Sequence, residues 1–373
     1  MRNETLTSFR VVCAQMFTEL LQSNLVDTLV GPHGIDRYLE LVRPNWTVNE
    51  PRARVVRVNR LTADSVTLTL KPNGAFAGFG PGQFVQVAVE IDGVRRTRCY
   101  SPASSARQTD SVELTVKTHS DGLVSRFLAE HASVGMVVGL SAADGDFQLP
   151  ASRPDRLLLI SGGSGITPVL SMLRTLCHEG HAGHVDFVHY APSPEEALYR
   201  SELERIAARH PNVRLLRSYT RERGTGELDG RFGATHLAAI GDYTTSETFA
   251  CGPPALLDAV RSSWAAAGLD QRLHVESFVP PALAIRSDEP EGTVSFAGAG
   301  QAIPNDGRTL LEQAEAAGLR PEFGCWMGVC HSCSCRKSAG SVRNAITGEV
   351  SSAEDEEIRI CVSVPVGDVQ LEL

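Results

Sequence analysis

The sequence predicts a multidomain chain of α+β and α/β character: an antiparallel β-barrel, then a doubly wound parallel sheet, then a smaller α+β unit around a cysteine loop. Three observations predict it. Residues 53–117 run in short period-two alternations of β-branched and polar residues. Residues 157–267 alternate strand-like and helix-like stretches, and residues 325–335 hold four of the nine cysteines. At 373 residues the chain is too long for one compact core.

The divisions fall at composition breaks. Residues 1–50 are an N-terminal helical extension, with the amphipathic stretch FRVVCAQMFTELLQSNLVDTLV and a Gly-Pro turn. A helix packed on the main body is expected there, with a partner- or membrane-docking helix as the alternative, and no chemistry. Residues 51–150 form the barrel: about six strands, with Asn-Gly, Pro-Gly and Asp-Gly read as hairpin turns. Residues 151–278 follow the Pro-rich break LPASRPD. Their βαβ order predicts the parallel sheet, with helices over PVLSMLRTLCHEG, EEALYRSELERIAARH and PALLDAVRSSWAAAG. A linker at 279–290 leads into residues 291–373, read as two strands, the helix TLLEQAEAAG, the cysteine loop and closing strands.

A net charge of -9 and the lack of any long basic run exclude nucleic acid or an anionic lipid surface as the main partner. A basic redox partner suits it better. No apolar run approaches the roughly 18 residues of a spanning helix, and the start lacks a signal-peptide pattern. The expected location is therefore cytoplasmic, where thiols stay reduced and clustered cysteines more often hold metal than pair in disulfides.

Cys325, Cys330 and Cys333 are spaced C-x4-C-x2-C, and Cys361 follows after twenty-seven intervening residues. That spacing is the plant-type pattern for a 2Fe-2S cluster. A structural zinc site more often arrives as two C-x2-C pairs, of which only one is present. Gly324 and Gly328 would let loop amides approach the sulfurs. Cys335 competes as fourth ligand, but its position two residues after Cys333 favours Cys361.

Two further groups of residues carry chemistry. Arg98-Cys99-Tyr100-Ser101 ends a barrel strand, and Gly122-Leu123-Val124-Ser125 opens a helix. An Arg can pair with phosphate, a Tyr can stack on a flavin and a helix N-terminus can receive a pyrophosphate. In the α/β half, Ser161-Gly162-Gly163-Ser164-Gly165-Ile166-Thr167-Pro168 follows a strand and opens a helix, where glycines let the backbone approach a dinucleotide. Cys251-Gly252-Pro253-Pro254 and Glu276-Ser277-Phe278 follow later strands. Cys251 also reads as a small core residue, and Glu276 as a linker acid.

In this order the motifs resemble the ferredoxin-NADP reductase superfamily, and the last eighty residues resemble plant-type ferredoxins, with Trp326 where a small basic or polar residue is frequent. The resemblance implies a flavin-binding barrel, a nicotinamide-binding domain and a β-grasp ferredoxin domain. It implies FAD held by Arg98, Tyr100, Ser101, Lys117, Gly122, Leu123, Val124 and Ser125, with FMN as the alternative. Arg98 and Ser125 would contact the phosphates, Tyr100 would stack on the flavin, and Ser101 would approach its reactive nitrogen. Gly162, Gly163, Thr167, Pro168, Cys251, Gly252, Pro253 and Phe278 would hold the nicotinamide nucleotide, and Ser101, Cys251 and Glu276 would surround hydride transfer. Arg221, after VRLLRSY, favours NADPH over NADH, a solvated loop cation being the alternative.

The implied activity is that of an NAD(P)H-dependent flavin iron–sulfur reductase that turns hydride into single electrons for a terminal oxygenase. DGVRRTRCYSPASS, DGLVSRFL, LLLISGGSGITPV, CWMGVCHSC and the preface PHGIDRYLELVRPNW look like actinobacterial reductases serving membrane di-iron acyl-CoA desaturases and alkane hydroxylases. Such a partner would bring the chain to a membrane peripherally, with no transmembrane segment of its own. Alternatives are a reductase of a haem-thiolate monooxygenase, a Rieske dioxygenase or a phenylacetyl-CoA-type oxygenase, and more remotely a non-catalytic redox sensor.

Overall fold

Six strands, β1 (Arg52–Thr62), β2 (Ser65–Pro72), β3 (Val85–Ile91), β4 (Val94–Tyr100), β5 (Val112–Lys117) and β6 (Val137–Leu140), form one antiparallel sheet in the order β4-β3-β6-β1-β2-β5. The computed structural model describes residues 47, 50–118, 122–278, 290–324, 328, 333–346 and 348–373. The expected helical extension at 1–50 and the linker at 279–290 lie outside these residues except at Thr47, Glu50 and Pro290.

Period-two alternation puts Val66, Leu68, Leu70, Val85, Val87, Leu114 and Val116 in one core. Each such burial contributes about 1.5–3 kcal/mol. An antiparallel bridge between Pro102 and Leu114 closes the sheet just beyond β4, and helix α1 (Leu123–His131) covers it with Val124 and Leu128. Of the three glycine turns read as hairpins, Asp92-Gly93 alone is one: it joins β3 to β4 with both φ angles positive, as a tight two-residue turn requires. Asn73-Gly74 and Pro81-Gly82 instead lie in the long connection from β2 to β3.

The second unit is a parallel sheet of β7 (Arg156–Gly162), β8 (His184–Ala191), β9 (Val213–Tyr219), β10 (Leu228–Asp229), β11 (Glu247–Cys251) and β12 (Leu273–Glu276), in the order β10-β9-β8-β7-β11-β12. Between the strands lie helices α2 (Ile166–Glu179), α3 (Arg200–Arg209), α4 (Ala234–Ile240) and α5 (Pro254–Ala266). The strand order reverses direction at β7 and β11, and in open α/β sheets the crevice at such a switch point receives ligands. β7 is almost wholly buried because it has layers on both faces.

The helix predicted over 195–210 begins only at Arg200. Leu198 and Tyr199 turn into the core beside α2, and Tyr199 takes a left-handed conformation at φ 60°. Tertiary burial overrides local helix propensity there.

The third unit has β13 (Thr293–Phe296), β14 (Gln301–Pro304), helix α6 (Leu310–Ala316), β15 (Ser334–Asn344), β16 (Val350–Ser351), β17 (Glu356–Arg359) and β18 (Ser363–Leu371). The sheet order is β14-β13-β18-β15-β16, with β17 on β15 and a parallel pair at β13–β18. Leu310, Leu311 and Ala314 of α6 pack across it in the manner of a β-grasp. Among the described residues, no helix is long and apolar enough to cross a membrane.

Candidate active site

The catalytic candidates of the parallel sheet gather on one rung. Cys251 pairs in register with Ser161 on one side and with Glu276 on the other, and Ser161 in turn pairs with His189. Cys251 is fully buried, and burial, with the Glu276 carboxylate alongside, pushes its thiol well above the usual range. Oε2 of Glu276 is shut from solvent without a hydrogen-bond partner, and burial lifts its pKa to about 8. This carboxyl is therefore protonated at neutral pH. Ser161 Oγ lies 2.9 Å from His189 Nδ1, and burial lowers the His189 pKa to about 4, so the ring is neutral. His189 belongs to no sequence motif, because only strand register brings it beside Ser161, the neighbour of Cys251. Phe278 packs against the same core cluster.

The glycine turn lies against that rung. A Cβ on Gly165 would stand 2.4 Å from the Cys251 carbonyl oxygen, and one on Gly162 would stand 2.8 Å from Leu256 Cδ2 and Pro253 Cδ. No side chain can enter there, so the β7 turn and the segment from Cys251 through Gly252 to Pro253 approach backbone to backbone. Gly163 has a positive φ of 55° with open space around it. Thr167 and Pro168 are buried in the first turn of α2, where Thr167 Oγ1 donates to Ser164 O at 3.3 Å. Arg221 lies beyond β9, its backbone N–H donating to Pro192 O at 2.9 Å. Its exposed guanidinium is 3.5 Å from Glu196.

On the barrel, Ser101 Oγ is buried and has no hydrogen-bond partner. Tyr100 is half-buried, and burial raises its hydroxyl pKa. Gly122 caps α1 without a side-chain hydrogen bond, Leu123 is exposed and Val124 buried, and Ser125 Oγ donates to Gly122 O at 3.1 Å. Unshared amides at this helix start suit an anion. Lys117, at the end of β5, pairs with Asp64 at 3.1 Å. Arg98 Nη1 donates to Thr97 O at 2.8 Å and to Gly324 O at 3.4 Å, and its guanidinium carbon lies 5.9 Å from the Phe323 ring centroid. Gly324 immediately precedes Cys325.

In the third unit Cys333 and Cys361 are buried together, and Ile360 N donates to Cys333 O at 3.3 Å. Gly328 has φ +70°, and a Cβ there would meet Val362 Cγ2 at 2.7 Å. Arg359 Nη1 holds the Gly328 carbonyl. Cys325 and Cys330 lie outside the described residues. Cys335 sits on β15 in the hydrophobic core, its thiol pushed up by burial, with Sγ 3.7 Å from Arg336 O.

These features fit three groups. Orphaned Ser101 and Glu276 atoms and the glycine cradle fit a flavin and a nicotinamide, and buried Cys333 and Cys361 beside the crowded Gly328, with the C-x4-C-x2-C spacing of the sequence, fit a cluster. Fold and site together define a flavin-dependent nicotinamide oxidoreductase with an iron–sulfur module.

Comparisons with known proteins agree. Residues 52–149 match the oxidoreductase FAD-binding domain, 159–262 the oxidoreductase NAD-binding domain and 294–366 the 2Fe-2S iron–sulfur cluster binding domain. The chain is 37% identical over 346 residues to an NADPH oxidoreductase of Mycobacterium tuberculosis, covering 91% of this chain and 88% of that one. It is 31% identical to the glycine betaine monooxygenase reductase subunit of Chromohalobacter salexigens, covering 88% and 96%. Phthalate dioxygenase reductase, a solved structure, superposes with a TM-score of 0.57 at 25% identity, over 86% of this chain and 97% of that one. The chain belongs to the ferredoxin reductase family of NAD(P)H-dependent oxidoreductases that carry FAD and a 2Fe-2S cluster.

Proposed function

We propose that this chain is a reductase component that takes hydride from NADPH and passes single electrons to a terminal oxygenase. The cofactors supply the redox chemistry: a flavin accepts the hydride pair, and an iron–sulfur cluster carries electrons one at a time. The observation that carries the reading is the contact of Arg98, in the flavin motif, with Gly324, the residue before the first cluster cysteine. It supports an electron path leading directly from barrel to cysteine loop.

The residues take these roles. Arg98, Gly122, Leu123, Val124 and Ser125 would hold the flavin phosphates, Tyr100 would stack on the flavin, and Lys117 would complete the flavin-binding set. Gly162, Gly163, Thr167, Pro168, Gly252, Pro253 and Phe278 shape the nicotinamide crevice. Ser101, Cys251 and Glu276 surround the reacting atoms, and the protonated Glu276 avoids placing a negative charge beside them. Arg221 binds the 2'-phosphate that distinguishes NADPH. Cys325, Cys330, Cys333 and Cys361 ligate the cluster.

The acceptor we favour is a membrane di-iron acyl-CoA desaturase or alkane hydroxylase, which rests on the motif resemblance. A second reading, a reductase for a monooxygenase of another type, is favoured by the 31% identity to the glycine betaine monooxygenase reductase subunit. One experiment separates them: NADPH consumption by the holoprotein is measured with desaturase-containing membranes plus acyl-CoA, and separately with a glycine betaine monooxygenase plus betaine. Substrate-dependent stimulation in the first mixture alone supports the desaturase; stimulation in the second alone refutes it.

A further inference from the structure

One face of α2 faces the barrel with polar groups. Ser171 Oγ donates to Ser104 O at 2.8 Å, and Thr175 Oγ1 accepts from Ala106 N at 3.0 Å. Between them Arg174 donates to Ala103 O at 2.8 Å and to Glu113 Oε1 at 2.7 Å. The rest of its guanidinium fork is held bidentately by Glu202 of α3, with both contacts at 2.7 Å. Tyr199 lies under the guanidinium at 5.1 Å, and its hydroxyl donates to Glu113 at 3.1 Å. Positions 171, 174 and 175 fall on one helical stripe, so a single rigid element makes all three contacts.

Where this stripe docks matters more than its strength. Ala103 N donates to Glu113 O at 2.7 Å beside the Pro102–Leu114 bridge that closes the barrel. Arg174 therefore grips both segments of the closure, at Ala103, two residues after Ser101, and at Glu113. The N-terminal end of α2, at Ile166 directly after the glycine turn, lies eight residues before Arg174, or about 12 Å along a helix axis. Arg174 is only 16% exposed, and Glu113 and Glu202 are 26% and 23% exposed, so these are sheltered, hydrogen-bonded pairs. The Arg174 network appears in no cofactor motif and touches no catalytic candidate.

We propose that Arg174 is a positioning residue for hydride transfer: with Glu113 and Glu202 it makes α2 a ruler that sets the glycine turn of the nicotinamide crevice against the Tyr100–Ser101 end of the flavin motif. The inference rests on the assignment of those two motifs to nicotinamide and flavin. Reacting groups on two domains approach correctly only if the domains hold one relative placement, and a misplacement of about 1 Å can slow such a reaction by up to roughly 100-fold.

The test uses the full-length holoprotein and two variants. Arg174→Met removes the fork, and Glu113→Gln removes the charge from the barrel-side ion pair while leaving the Ala103 contact and the Arg174–Glu202 pair within the second unit. In anaerobic single-turnover mixing with NADPH, both should reduce flavin about tenfold or more slowly, at an unchanged half-saturating NADPH concentration. Amide exchange should quicken at Ala103 and Ala106 and stay unchanged in β2 and β7. Parental flavin-reduction rates in variants with quickened exchange at Ala103 and Ala106 would overturn the proposal. So would exchange that quickens across the whole chain in both variants, which marks a purely structural role. Failure of the underlying assignment looks different: the parent protein itself would then not be reduced by NADPH.

Discussion

Arg98 and Gly324 meet across the boundary between the flavin-motif barrel and the cysteine unit, guanidinium Nη1 to carbonyl oxygen at 3.4 Å, with the Phe323 ring 5.9 Å from the guanidinium carbon. An arginine over an aromatic face contributes about 0.5–1 kcal/mol at a partly exposed site. Replacing Phe323 by Ala should therefore reduce the docked population by about two- to fivefold. Cytochrome c reduction, which draws on the cluster, should fall by that factor, while ferricyanide reduction by the flavin stays at the parental rate. Equal loss of both activities would place the defect in flavin binding instead.

Glu276 should make stability fall with rising pH. Its folded pKa, about 8, lies above the ordinary carboxyl value of 4.5, so between these values the folded chain holds a proton that the unfolded chain has released. Stability from this group is full below the lower value and is lost as pH rises through about 8, with a slope of up to about 1.4 kcal/mol per pH unit. Glu276→Gln should remove that slope from denaturant unfolding measured across the range. Infrared spectra should show a protonated carboxyl at pH 7 in the parent and lose that band in the variant; an identical spectrum in both would locate the proton elsewhere.

Two glycines of one turn should respond differently to alanine. Gly165 has its would-be Cβ 2.4 Å from the Cys251 carbonyl, a backbone atom that cannot swing aside. Gly165→Ala should cost about 1–3 kcal/mol and displace the Cys251 rung, abolishing nicotinamide-dependent flavin reduction. Gly163→Ala meets no protein atom and only the strain of φ 55°, so about 1 kcal/mol of stability is expected to go, with a raised half-saturating NADPH concentration because the nucleotide approaches that backbone. Thermal unfolding and NADPH-driven flavin reduction read both outcomes.

Legibility in the sequence followed how local the cause was. The Asp92-Gly93 hairpin could be read because two adjacent residues determine it, whereas Asn73-Gly74 carries the same local signal inside a longer connection. Strands β8 and β9 coincide with HVDFVHYA and VRLLRSY because each is a short stretch rich in β-branched, aromatic or leucine residues set between helical stretches. The start of α3 was hidden: Tyr199 turns left-handed because Leu198 and Tyr199 are drawn into a core contributed by α2. The site divides in the same way. Contiguous motifs at Arg98–Ser101 and Ser161–Pro168 were visible, but His189 beside Ser161 and Arg174 against Glu113 are meetings of separate elements that no spacing encodes.

Arg221 offers a direct test of nicotinamide preference. It is 75% exposed, and its ion pair to Glu196 at 3.5 Å is solvent-screened and readily exchanged for a phosphate. A charge-assisted hydrogen bond to a phosphate contributes about 1.5–3 kcal/mol. Arg221→Ala should therefore lower kcat/KM for NADPH by roughly tenfold or more while leaving NADH unchanged. Equal effects on the two nucleotides would remove the 2'-phosphate role.

Cys361 and Cys335 are both buried thiols of the third unit, and their substitutions should separate cleanly. Cys361, in the turn between β17 and β18, directly follows Ile360, whose amide is bonded to the carbonyl of Cys333 just before β15, so Cys361 and Cys333 lie close together. Cys335 points into the apolar core with Ile358 and Val342, where a thiol behaves as a small hydrophobe. Cys361→Ser should lose the cluster's visible absorption and all cytochrome c reduction, yet keep NADPH-driven ferricyanide reduction by the flavin. Cys335→Ser should keep the cluster and pay about 1–3 kcal/mol in thermal unfolding for a buried hydroxyl. Loss of the cluster in Cys335→Ser with retention in Cys361→Ser would move the fourth ligand to β15.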